Sequence, residues 1–176
     1  MTPRQLEALR KHLHFTVPEA ARWVAASPER PRGVEERTWN RWESGKVAVP
    51  SNIAERIVEL VRWRESTADD LYDAHWRHPA PRPAALIWYD DRQDWPGKPE
   101  HWRPMQSAMA DLLTAAALDG MTDALRLVPF DAQAFNRWRG ARPDTAAERA
   151  AWARQQPDDA PPPRMVELRT DGPAPV

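Results

Sequence analysis

The chain contains no cysteine in 176 residues. Disulfides, thiolate nucleophiles and cysteine-ligated zinc are thereby excluded. The lack fits a reducing compartment, so a cytoplasmic location is expected. No apolar run approaches the roughly 18 residues of a membrane span, and the first residues lack the apolar centre of a signal peptide; no membrane partner is expected. Also missing are a glycine-rich phosphate loop, a nucleophile elbow and a paired-carboxylate motif. Without any catalytic constellation, the chain reads as no enzyme and as needing no cofactor. Five histidines are present, but His12 and His14 point to different sides of a helix. His75 and His78 are three apart with no third ligand at metal-site spacing. The acidic cluster Asp90, Asp91 and Asp94 reads as a solvated turn.

What is present is an uneven distribution of charge. The 25 basic and 26 acidic residues give a net charge of −1. Residues 1–66 carry 12 basic and 9 acidic side chains, a net of +3; the remainder carries 13 and 17, a net of −4. A basic front and an acidic back suit a protein that turns one face to a polyanion.

The front half reads as four helices. Thr2 caps a first helix, with Pro3 at its first position, Gln5 completing a capping box, and Leu6, Leu9 and Leu13 at helical spacing. Thr16 and Glu19 form a second capping box for a helix with a small buried face at Ala20, Ala21 and Val24. Two prolines and a glycine make Ser27 to Gly33 a loop. Glu35 to Ser44 is a third helix with Trp39 and Trp42 on its apolar side, stopped at Gly45. From Pro50 and Ser51 a fourth helix carries Ile53, Ile57, Leu60 and Val61 on one stripe and extends to about Trp76.

The back half reads as a mixed region. His78 to Pro83 is a stiff linker by composition. Ala85 to Tyr89 and Ala124 to Phe130 read as strands, and Met105 to Leu118 as a helix between them. Asp131 caps a short helix carrying Phe135 and Trp138. Thr145 to Gln155 has helical composition, and the last 20 residues read as disordered. The expected class is mainly α with a small α+β part. The expected division is 1–66 as a helix-turn-helix domain, 67–83 as helical extension and linker, 84–140 as an α+β dimerisation domain, and 141–176 as a largely disordered tail.

A turn between the second and third of four short helices is the skeleton of a helix-turn-helix domain. The run Val34-Glu35-Glu36-Arg37-Thr38-Trp39-Asn40-Arg41-Trp42-Glu43-Ser44-Gly45-Lys46 resembles the recognition segment of the lambda-repressor-like family, of the xenobiotic-response-element type. Phe15 to Ala21 resembles that family's second helix. With Trp39 and Trp42 pinned inward, Arg37, Thr38, Asn40 and Arg41 are left to reach base edges. Arginine forks match guanine, asparagine matches adenine, and Glu36 can accept from cytosine. Lys46 is placed for a phosphate, as is the start of the second helix at Thr16 and Val17. The resemblance further implies a structural ion pair between Arg10 and Glu43. Two departures stand out: the loop before the third helix is longer, holding Pro28, Arg30, Pro31 and Arg32, and Val17 replaces the family's usual glutamine.

The back half narrows the resemblance. Ile87-Trp88-Tyr89, Trp102-Arg103-Pro104-Met105-Gln106-Ser107, Leu127 to Asp131 and Phe135 to Trp138 are similar to the anti-CRISPR-associated autorepressors and a related uncharacterised bacterial family. That resemblance implies a homodimer that binds double-stranded DNA at an inverted repeat as a transcriptional repressor. Its subunits would pair through Trp88, Tyr89, Trp102, Met105, Met109, Leu127 and Phe130. Two short strands make no independent sheet, and pairing with a second copy would cover them. Two alternatives remain: an RNA-binding translational autoregulator, and an antitoxin-like interaction module using the acidic, proline-rich tail.

Overall fold

A computed structural model of the chain describes residues 1–77 and 83–157. Its elements in order are α1 (Pro3–His12), α2 (Val17–Glu19), α3 (Glu36–Glu43), α4 (Ser51–Tyr72), β1 (Ala84–Trp88), α5 (Trp102–Leu118), β2 (Leu125–Pro129), α6 (Ala132–Arg139) and α7 (Ala146–Arg154). The protein is mainly α with a small α+β part. Most of the linker, residues 78–82, and the final residues 158–176 lie outside the described residues.

Both capping boxes form. Thr2 Oγ1 accepts from the Gln5 amide while Gln5 Oε1 accepts from the Thr2 amide, and Thr16 and Glu19 do the same for α2. The second helix has one α-helical turn and continues as a π-helical turn, Ala20–Val24, closed by the Ala25 amide on the Ala20 carbonyl. Alanines at 20, 21 and 25 make this possible, because they bring the wider turn against its neighbours without a clash. The front core holds Leu6, Leu13, Phe15, Val24, Trp39, Trp42, Ile53, Ile57 and Leu60.

The long loop before α3 is ordered. Ser27 and Arg30 exchange two backbone hydrogen bonds across Pro28-Glu29. Gly33 takes φ +72°, and a Cβ there would lie 2.1 Å from the Ala21 carbonyl oxygen. Only glycine permits this approach, which lets the Val34 amide bond the same carbonyl.

In the back half, β1 and β2 pair with each other in parallel, Leu86 opposite Leu127, with α5 as the crossover. One face of this sheet packs Leu86 and Leu125 on Leu112 and Ala116 of α5. The other packs Val128 on Phe135 of α6 and Trp152 and Ala153 of α7. The chain therefore packs its own helices on both faces of the sheet, so the two strands have cover within a single copy. The alanine-rich stretch assigned to the tail is α7. Arg149 holds it in place, bonded to Asp144 at 2.7 and 2.8 Å and to the Asp94 carbonyl, over the Phe130 ring at 4.5 Å.

Helix α5 begins at Trp102, earlier than its apolar periodicity suggests, because Pro104 is tolerated in a first turn. Its first two turns join the halves. Trp102 Nε1 and Gln106 Nε2 both donate to the Tyr89 carbonyl. Ser107 donates to the His12 carbonyl at the end of α1 and accepts from Arg64 of α4. Arg64, only 2 % exposed, also reaches Asp111. Arg103 pairs with Glu19 of α2 at 2.7 Å.

Candidate nucleic-acid interface

Helix α3 is fixed from its inner side. Trp39 and Trp42 are buried and meet edge to face, with centroids 5.6 Å apart. Glu43 closes the helix as a triple acceptor. It takes Arg10 Nε at 2.7 Å, Arg10 Nη2 at 3.1 Å and Trp39 Nε1 at 2.6 Å. Arg10, 8 % exposed, also donates to the Phe15 carbonyl. The pair implied by the family resemblance is thus present in the geometry and locks α1, α3 and the start of the second helix together. Gly45, at φ +74°, turns the chain away and Val47 donates back to the Arg41 carbonyl.

The outer side is open. Arg37, Asn40, Arg41 and Lys46 are exposed and line one concavity of about 790 Å³, joined by Ser44, whose place in the helix-ending run carries no binding signal of its own. Thr38 is half-buried beside them. Glu36 faces a neighbouring cleft with Pro18, Arg22, Arg32, Val34 and Glu35. Thr16 and Val17 start the second helix, but their surroundings differ from an open helix terminus. The Thr16 amide is bonded to Glu19, the Glu19 amide to Thr16, and Pro18 has no N–H. Burial raises the Glu19 pKa, but bonds from Arg103 and Thr16 outweigh it and leave the carboxyl below its usual range. A negative charge therefore sits where a phosphate was expected.

Charge pairing separates this region from the rest of the front half. Every cation of α1 is paired: Arg4 and Lys11 with Glu7, and Arg10 with Glu43. From Arg22 to Lys46 the six cations are Arg22, Arg30, Arg32, Arg37, Arg41 and Lys46. Among the described residues none of the six has a carboxylate within ion-pair distance, although Glu29, Glu35 and Glu36 are interspersed with them.

The residues assigned to subunit pairing scatter. Tyr89, Trp102 and Met109 are buried within the single chain. Trp88, Met105 and Phe130 are half-buried, and Leu127, at 36 %, is exposed. Trp102 belongs to the clamp on Tyr89, a role that depends on a contact 13 residues away and leaves no periodic signal in the sequence. Among the described residues no three histidine, aspartate or glutamate side chains form a metal-binding group. No helix is long and apolar enough to cross a membrane there.

Comparison with known proteins gives two relatives. The Aca2 repressor of Pectobacterium phage ZF40 is 31 % identical over 126 residues, covering 68 % of this chain and 98 % of the relative. The uncharacterized protein YdiL of Escherichia coli strain K12 is 29 % identical over 65 residues, covering 37 % of this chain and 50 % of the relative. A family match spans residues 1–121, from the first helix through the α5 clamp and the turn after it. The chain belongs to the Aca2/YdiL-like family.

Proposed function

We propose that this protein is a sequence-specific DNA-binding transcriptional repressor that acts as a homodimer on an inverted repeat. The observation that carries the reading is the unpaired cationic concavity on α3: Arg37, Asn40, Arg41 and Lys46 are exposed together on a helix whose other side is locked by Trp39, Trp42 and Glu43. Guanidinium and amide groups held this way suit bidentate contacts to purine edges in a major groove. Lys46, one residue past the αL stop, suits a phosphate at the groove edge. A relative that is a repressor supports the regulatory role.

The homodimer draws support from what the chain leaves uncovered. Among the described residues β2 pairs with β1 alone, Leu127 on β2 is exposed, and Leu118 at the end of α5 is 83 % exposed. Open edges and exposed large apolar side chains favour association with another copy. We assign subunit pairing to this limb rather than to the buried Tyr89, Trp102 and Met109.

Selection of bound duplexes from a random DNA pool tests the reading. The expected result is an enriched inverted repeat, with Arg41→Ala relaxing the preference at one base position in each half. A pool that stays unenriched while the protein is folded overturns it.

A further inference from the structure

The phosphate site expected at the start of the second helix is closed, and an alternative lies one turn further on. The capping box takes the Thr16 and Glu19 amides, Pro18 has no N–H, and the Glu19 carboxylate stands at that terminus. Next to it is a cleft of about 550 Å³ lined by Pro18, Arg22, Arg32, Val34, Glu35 and Glu36. We propose that this cleft holds a backbone phosphate of duplex DNA between Arg22 and Arg32, with Arg92 of the β1–α5 connection as a third cation. The proposal rests on the reading that α3 faces duplex DNA.

Four observations support it. Arg22 and Arg32 are exposed and lack a carboxylate partner among the described residues, even though Glu35 and Glu36 line the same cleft. Planar guanidinium forks are suited to phosphate oxygens. The loop that carries Arg32 is fixed on both sides, by the Ser27–Arg30 turn and by Gly33 seated on the Ala21 carbonyl, so the side chain springs from an ordered backbone. Trp23 gathers two guanidinium groups on one indole, Arg22 at 4.6 Å and Arg92 at 5.4 Å from its centroid. Arg92 Nε is buried and without a hydrogen-bond partner among the described residues. Cations collected on one ring repel each other, and an anion beside them relieves that repulsion.

Glu35 and Glu36 weaken the cleft as a sink for free anions. It therefore favours a phosphate delivered and positioned by contacts elsewhere, which is what a duplex docked on α3 supplies. The long loop, absent from the tight turn of the lambda-repressor-like pattern, becomes an added backbone contact.

The test uses the full chain and two 30-base-pair duplexes, one of random sequence and one carrying the selected repeat, titrated with KCl and followed by fluorescence anisotropy. Replacing both arginines (Arg22→Gln with Arg32→Gln) is expected to lower the slope of log K against log salt by about one to two. Both duplexes should weaken by the same factor, and the Arg22→Lys with Arg32→Lys variant should recover most of the slope. Arg92→Gln is expected to give a smaller loss of the same kind. If the double glutamine variant melts early, Arg32→Gln alone, on an exposed side chain, should still lower the slope by about one. An unchanged slope in a variant that melts like the wild type overturns the proposal, as does a loss confined to the selected repeat. A wild-type chain that binds neither duplex overturns the functional reading itself.

Discussion

Glu43 concentrates the residue-scale logic of the interface. Its carboxylate receives three donors from two helices, and both members of the ion pair are nearly excluded from water. Removing one partner leaves the other charged and unpaired, which typically costs about 3–5 kcal/mol, whereas replacing both with apolar residues is far less damaging. Arg10→Met alone should therefore lower the urea midpoint more than Arg10→Met combined with Glu43→Leu. Simple additivity in that cycle would remove the coupling. Three histidines bear on acid sensitivity. His14, His75 and His101 are each held below the usual histidine pKa by burial. A depressed folded pKa contributes stability that is complete above the unfolded value near 6.5 and is lost as pH falls through the folded one. Glu19, and Asp144 lowered chiefly by its bond to Arg149, act in the same direction at lower pH. Melting temperature should fall in two stages, the first beginning below about pH 6.5 and the second below about pH 4. Glu19→Gln should flatten only the second; a melting temperature level from pH 7 to 5 would show that the histidines do not couple to folding.

At the scale of elements, the Trp-Arg-x-x-Gln-Ser segment of α5 changes meaning between sequence and structure. In the sequence it is a distinctive run that carries the family resemblance, with Trp102 and Met105 assigned to subunit pairing. In the fold each polar member has a partner outside α5: the Tyr89 carbonyl for Trp102 and Gln106, Glu19 for Arg103, and Arg64 and the His12 carbonyl for Ser107. Such partners are set by tertiary contact, so no spacing rule finds them. Caps, stripes and stops were legible because they depend on residues three or four apart: Thr2 with Gln5, Thr16 with Glu19, Ile53 with Ile57, Gly45 after α3. The π-helical turn and the parallel pairing of β1 with β2 were not, since both depend on what packs against them. Arg103→Ala should free the second helix locally. Amide exchange at residues 20–25 should quicken several-fold while that of α6 and α7 stays unchanged. Equal protection in both regions would mean that the Glu19 pair is dispensable. Gly33→Ala forces a Cβ against a backbone oxygen in a left-handed conformation and should cost more than about 1 kcal/mol in denaturant unfolding.

For the whole molecule, the proposed homodimer raises the question of how its two copies of α3 would be presented together. With Tyr89, Trp102 and Met109 buried inside the chain, the pairing proposed above falls to Leu118 and Leu127, which are exposed. Light scattering at micromolar concentration should give a dimer, and Leu118→Asp with Leu127→Asp should give a folded monomer with much weaker operator binding. A wild-type monomer would defeat the pairing.

Helix α4 gives that arrangement a mechanical character. It runs unbroken for 22 residues, about 33 Å at 1.5 Å per residue, from the loop after α3 to the back half. Arg64 and Trp63 tie its flank to Ser107 and His101. Such a strut behaves as a ruler. One base pair inserted between half-sites turns the second by about 34° and moves it about 3.4 Å, and in the proposed dimer a strut held at Trp63 and Arg64 would resist both. Spacing on the DNA should thus be discriminated as sharply as base sequence, with a single inserted base pair at the centre of the repeat as damaging as a substitution in a half-site.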